Sequence, residues 1–440
     1  MNLELVRTRS HAAPAPHGAH AGVLPGAPRT LADTGLSDQF VIELATKVLV
    51  LRGQQRLTEL AHHLRLPAIV VEELLEFMRA ERLVELVRRG ATHGDAVFAL
   101  TELGRSRAIE GLRRCRYAGA APVPVEAYVA QVRRQSVSGM KVTRADVERA
   151  YEGLILRQEL REQIGAAMNS GRPLFFYGPA GSGKTYLAES LARLLQGHAA
   201  VPHAFLVDGE IVQVFDPLVH RPVVEGHNDA GLDARQRSDA RWLLCERPVV
   251  LVGGELRLEM LDLQFDASAG FYQAPPHVKA NNGLFIVDDL GRQIVKPEQL
   301  MNRWIVPMDR RRDYLALHTG TSFELPFDMV LVFSTNLTPS DVADEAFLRR
   351  LGYKMFIGPT GENDYREMLR LACAQRQVPY VDQAFADLLA LHRRHERPTL
   401  ACYPRDLVGL IADFATYMGE TPALTPAAFE RAWHNYFAAQ

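Results

Sequence analysis

The run Gly178-Pro179-Ala180-Gly181-Ser182-Gly183-Lys184-Thr185 places glycines, a lysine and a threonine in an order suited to holding phosphate. Glycines reach backbone conformations closed to other residues, so successive N–H groups can converge on an oxyanion. Lys184 supplies a point charge for the outer phosphates, and the Thr185 hydroxyl a ligand for a divalent metal. Tyr186 follows and is counted with the binding residues. The run needs a strand before it and a helix after it. The apolar stretch Leu174-Phe175-Phe176-Tyr177 supplies the first, and a helical pattern from Thr185 to Leu195 the second. The N-terminus of that helix adds the positive end of a dipole.

Two further apolar runs end in polar residues. Gly283 to Val287 leads into Asp288 and Asp289, and Met329 to Thr335 leads into Asn336. Both read as buried strands. Asp288 at a strand tip suits a metal that keeps much of its water shell. Asp289 would polarise an attacking water, and Asn336 would orient it. An Asn at a strand end can also simply start a loop.

In this order the pieces resemble the AAA+ ATPases, over roughly residues 143–440. Gly178 to Thr185 is similar to Walker A, Phe285 to Asp289 to Walker B, and Asn336 to sensor 1. Asp344-Glu345-Ala346-Phe347-Leu348-Arg349-Arg350 resembles the segment bearing arginine fingers. Tyr403-Pro404-Arg405-Asp406-Leu407 resembles sensor 2, carried by a C-terminal helical lid. The resemblance implies ATP and Mg²⁺ as cofactors, ATP hydrolysis, and a homo-oligomeric ring, a hexamer among the sizes it would allow. Arg349 or Arg350 would then reach the neighbouring subunit's site, and Arg405 its own. One departure is Asp289, where most of the family has Glu. Its carboxylate sits ~1 Å further back, and a misplacement of that order can cost ~10²-fold in rate.

Extended runs between Lys184 and Asp288, at Ala204–Val207, Ile211–Phe215, Val249–Leu256 and Met260–Phe265, read as inserted hairpins. Another hairpin, Tyr314–Leu317 with Phe323–Phe327, precedes the sensor 1 strand. This arrangement resembles the magnesium-chelatase and MoxR-like branch. Arg310-Arg311-Arg312 before that hairpin reads equally as a substrate contact or a solvated charge run. With what lies upstream, the whole resembles bacterial ATPases described as chaperone-like and placed beside pilus assembly. The expected function is ATP-driven remodelling of an unknown protein client.

These motifs belong to the α/β part of a chain whose 440 residues suggest several domains. Residues 1–36 read as a disordered tail whose His11, His17 and His20 are incidental. Residues 37–117 carry three helical patterns, two short extended runs and a fourth helix, the order of a winged helix-turn-helix. Residues 118–142 read as a linker, 143–359 as the nucleotide-binding domain and 360–440 as the helical lid. The third helix of the winged region carries Glu72, Glu73, Glu76 and Glu81, which phosphates would repel. Protein docking or an intramolecular role is therefore favoured there over DNA. The alternative is an ATP-dependent transcription regulator that binds DNA through this region. A net charge of −2 does not suggest a protein that coats nucleic acid. Four scattered cysteines form no CxxC pair and suit a reducing cytoplasm. No run is long and apolar enough to insert in a membrane.

Overall fold

The computed structural model describes residues 24–89, 95–223 and 238–437. The expectations for His11, His17, His20 and most of the turn after Arg89 lie outside them. The chain divides into two compact units, and each gathers segments from distant parts of the sequence.

The second unit comprises 136–196, 247–262 and 275–440. Its centre is a five-stranded sheet of β1 (Leu174–Tyr177), β2 (Val249–Val252), β3 (Leu284–Val287), β4 (Val330–Thr335) and β5 (Tyr353–Phe356), in the order β2-β3-β4-β1-β5. Every neighbouring pair is parallel. Parallel strands are covered on both faces, which is why β1 to β4 read as unbroken apolar runs. Leu174, Phe176, Leu284, Ile286 and Val332 face one core with Ile164, Leu187 and Leu191. Phe285 and Phe333 on the other side pack on Trp304, with ring centroids 5.9 and 5.7 Å away.

Two expectations change here. Val249–Val252 is the core strand β2, not part of an inserted hairpin. An apolar run does not reveal its partner, and the partner of β2 lies beyond the next insertion. The helix after the phosphate loop is also short: Lys184–Ser190, then a 3-10 turn over Leu191–Leu194. The Ser190 hydroxyl donates back to the Leu187 carbonyl at 2.6 Å, a bond that competes with helix continuation. The hairpin before β4 forms as expected, Arg312–Ala316 against Ser322–Pro326. The arginine run ahead of it is not uniformly solvated. Arg311 is left-handed at φ 55° and burial lowers its pKa, while Arg312 pairs with Glu324 at 3.2 Å. Four C-terminal helices, Glu362–Arg376, Asp382–Arg394, Cys402–Met418 and Pro426–Tyr436, share a core of Tyr365, Leu388, Leu407, Phe429 and Trp433.

The first unit comprises residues up to 135 with 197–246 and 263–274. Helices Asp38–Arg52, Leu57–Leu64 and Ala68–Ala80 precede the strands Val84–Arg88 and Val97–Leu100 and the helix Glu102–Arg114. The Ser37 side chain caps the first helix by accepting from the Phe40 N–H. Order begins earlier than expected, because Leu31 and Leu36 are already buried. The segment expected as a linker also holds structure. Val123–Pro124 is a strand and Val125–Arg134 a helix. That strand lies at the end of a sheet whose other members come from the insertions: Ala204–Val207, Glu210–Gln213, Phe271–Gln273 and Gln264–Asp266. Leu64, Leu66, Tyr117 and Ala121 share one core with Ala204 and Ile211. The helical region and the insertions thus fold together.

A buried ion pair ties this unit further. Arg241 and Asp239 meet at 2.8 Å with side chains 6% and 3% exposed, and the Arg241 guanidinium also donates to the Thr34 and Pro122 carbonyls. Removing one partner of a buried pair leaves an uncompensated charge, at a cost of about 3–5 kcal/mol. Asp239→Ala is therefore expected to lower the melting temperature clearly, whereas an exposed control such as Glu345→Ala changes it little. A thermal melt followed by circular dichroism checks this.

Candidate functional site

The carboxyl ends of the adjacent strands β3, β4 and β1 bring the sequence's candidate residues together, the position where open α/β sheets bind ligands. The loop 178–183 leaves β1 and enters the helix at Lys184. Gly178, Gly181 and Gly183 have φ of 146°, 83° and 94°. A side chain at Gly178 would strike the Ile357 carbonyl, and one at Gly181 would meet Cys402 Sγ at 2.6 Å. The loop therefore lies against the C-terminal helices, and the Cys402 N–H donates to the Gly181 carbonyl at 3.1 Å.

Lys184 Nζ donates to the carbonyls of Gly178 and Pro179 at 3.0 and 2.9 Å, and to Asn336 Oδ1 at 2.8 Å. An ammonium has three donors, and here each one has an acceptor. Burial lowers the Lys184 pKa, against the opposing pull of Asp288 and Asp289. Thr185 Oγ1 donates to Asp288 Oδ2 at 2.7 Å. Asn336 Nδ2 donates to Asp289 Oδ1 at 3.2 Å, so Asn336 bridges the lysine and the second carboxylate. Asp289 is left-handed at φ 49°, beyond the end of β3, and Arg292 approaches its carboxylate at 3.8 Å. That backbone turn re-aims the short acid towards Asn336. The turn is braced by Gln293, whose amide donates to the Asp288 and Gly253 carbonyls and accepts from the Gly291 N–H.

The residues fit a metal-bound polyphosphate. Ser182 Oγ is buried in the loop without a hydrogen-bond partner, and orphaned buried hydroxyls are uncommon. Thr185 and Asp288 present a hydroxyl and a carboxylate side by side, the hard oxygen donors Mg²⁺ takes. Beside the loop lies a mainly apolar cavity of about 270 Å³, lined by Ile155, Leu156, Tyr186, Leu371, Pro404 and Arg405 among others. Arg405 is largely exposed and pairs with its neighbour Asp406 at 3.1 Å.

The two candidate fingers differ. Arg350 is held by Asp309 at 2.9 Å and donates to the Ala346 carbonyl at 2.8 Å. Arg349 is 76% exposed and, among the described residues, meets only Glu345, itself 83% exposed, at 3.0 Å. Neither touches the cluster around Lys184. Both border a separate cavity of about 340 Å³ with Arg172 and Arg311.

The C-terminal residues 361–435 match a family model described as a domain of unknown function (DUF8689). No curated protein matches the chain. Among solved structures the chain is similar to the RuvB Holliday junction branch migration motor of Thermotoga maritima, at 13% identity over 66% of this chain and 73% of that one, with a TM-score of 0.37. Two mutants of Thermotoga maritima RuvB align at 11% identity and a TM-score of 0.36. One covers 69% of this chain and 74% of its own, the other 67% and 70%. At TM-scores of this size the chemistry of the site rests on its own residues.

Some residues escaped the sequence reading. Ile155, Leu156 and Leu371 reach the cavity from segments without a motif. Glu189 stands one helical turn after Thr185, and its pKa is raised by burial and then by Asp288. The i, i+4 spacing from Thr185 was a usable signal for it.

Proposed function

We propose that the chain is an ATP-hydrolysing AAA+ machine that works as a homo-oligomer and remodels a protein partner. The observation that carries the reading is the hydrogen-bonded chain Lys184–Asn336–Asp289, beside Thr185–Asp288, at the tips of three adjacent parallel strands. The loop N–H groups and Lys184 would hold the β- and γ-phosphates, and the carbonyls now bound to Nζ would give way to phosphate oxygens. Thr185 and Asp288 would hold Mg²⁺, which would supply positive charge to offset that of the phosphates. Asp289 accepts the proton of the attacking water, and Asn336 fixes that carboxylate's direction. Arg405 closes the cavity from the C-terminal helices. Arg349, the freer of the two, is the residue offered to a neighbouring subunit, while Arg350 braces its own segment through Asp309.

Residues 37–117 of the first unit are proposed to be a winged helix in an intramolecular role. Its helices share a core with strands inserted in the ATPase segment. The exposed face of Ala68–Ala80 shows Ile69, Phe77, Glu73 and Glu76, apolar and acidic residues that suit a protein better than DNA. A transcription regulator remains the second reading, and duplex DNA binding in a gel-shift assay would favour it.

Lys184→Ala tests the site directly. Truncating one side of a buried charge pair costs about 2–5 kcal/mol. ATP affinity measured by calorimetry is therefore expected to fall roughly 10²–10³-fold, with the melting profile retained. Unchanged affinity in the folded variant would remove the assignment.

A further inference from the structure

A third cavity, with unbalanced charge, lies wholly within the first unit. It measures about 390 Å³, and Arg52, His62, His63, Arg65 and His203 line it. The rest of its wall is Gly119 and Ala120, too small to fill the space. No carboxylate lines it among the described residues. Arg52 and Arg65 make no side-chain ion pair or hydrogen bond with any described residue, and neither does His62. Guanidinium groups are permanently charged and fork onto oxyanions, so two of them beside one cavity without a counter-charge leave an attractive field there.

The walls are built rather than loose. Arg65 closes the helix Leu57–Leu64 in a left-handed conformation at φ 57°, with its N–H donating to the Ala61 and His62 carbonyls. His63 Nε2 hydrogen-bonds the Ala118 carbonyl at 2.7 Å, which fixes its ring. His203 comes from the insertion; its N–H donates to the Arg241 carbonyl and its ring packs edge-on to Phe215. His203 Nε2 is buried without a hydrogen-bond partner. Burial, and then the charge of Arg65, pull the His203 pKa down to about 4, so at neutral pH the ring is uncharged and offers one donor and one acceptor.

We propose that this cavity binds a small phosphate-bearing anion, at a site separate from the phosphate loop. Arg52 and Arg65 would supply the charge, and His62 and His203 the neutral hydrogen bonds. A cavity of this size fits a small ligand, and the acidic helix Ala68–Ala80 nearby in sequence argues against an extended nucleic-acid backbone. Because Arg52 and Arg65 belong to the helical region and His203 to an insertion of the ATPase segment, an occupant would staple the two together.

The test is calorimetric titration of inorganic phosphate, pyrophosphate and ATP into the full-length Lys184→Ala chain, where the phosphate loop is disabled. Saturable one-site binding is expected, and the tightest of the three probes tells a free phosphate from a nucleotide. Adding Arg52→Gln and Arg65→Gln should weaken that binding at least tenfold, while Arg52→Lys with Arg65→Lys should lose less. The same glutamine pair with Lys184 intact should leave ATP affinity at the phosphate loop unchanged, which shows that the fold is intact. Absence of saturable binding, or equal affinity in the glutamine variant, would overturn the proposal. So would a pair of arginines needed for duplex DNA but not for any of the three probes.

Discussion

Replacing Arg349 by alanine is expected to lower ATP turnover by roughly 10³-fold or more while ATP affinity stays within a few-fold, since an arginine finger contributes about 10³–10⁵ in rate in GTPase systems. Lys184, Thr185, Asp288, Asp289 and Asn336 form one connected cluster. Arg349 stands outside it, 76% exposed, and among the described residues its side chain pairs only with Glu345. An arginine placed this way can act on a phosphate only if another subunit brings that phosphate to it. The contact is then head-to-tail, and such contacts close into rings or run on as helices. Specific activity should rise steeply with protein concentration. Mixing Arg349→Ala with Lys184→Ala should restore part of the activity, because each variant supplies what the other lacks. Arg350→Ala should behave differently. It breaks the Asp309 pair within its own subunit, and its loss should show in stability as well as turnover. Activity independent of concentration, without rescue on mixing, would mean that Arg349 acts in cis or not at all.

Much of this site was legible in the residues, for a definite physical reason. A phosphate loop needs glycines, a lysine and a threonine at fixed spacing, and the strand and helix around it are local. Asp288, Asn336 and the hairpin before β4 likewise follow from runs whose pattern is contained within a few residues. What was hidden depends on distant partners. The apolar run Val249–Val252 becomes a core strand only because Leu284–Val287 lies beside it. The stretch 118–142 looked like a linker because alanine, proline and glycine dominate its start, yet Val123 pairs with Phe205. The contrast between Arg349 and Arg350 turns on Asp309, which is far upstream. Asp289 was judged by side-chain length alone. Its left-handed backbone shows that aim, as well as reach, decides where the carboxylate falls.

The second large effect falls on the carboxylates. Asp289→Asn is expected to lower turnover by roughly 10²–10³-fold, the range found when a group acting on developing charge is removed. The asparagine keeps the shape of the side chain, and Asn336 can still hydrogen-bond it. What disappears is the charge that accepts a proton from water. Asp288→Asn should also spare binding more than turnover, and its loss should be eased by raising the Mg²⁺ concentration, because Asp288 is proposed to hold the metal. Asp289→Glu is the informative partner. The longer acid should retain measurable turnover, because the carboxylate remains even though the left-handed turn at 289 aims it differently.

The central claim is that the cluster at the tips of β3, β4 and β1 both binds ATP and cleaves it. It is tested most directly by measuring phosphate release from ATP in the parent chain and in Asp289→Asn at matched ATP occupancy, with Mg²⁺ present. The predicted result is steady release by the parent, and a fall of roughly 10²–10³-fold in the variant at unchanged ATP affinity. Equal release by both proteins, or affinity lost in proportion to turnover, would contradict it.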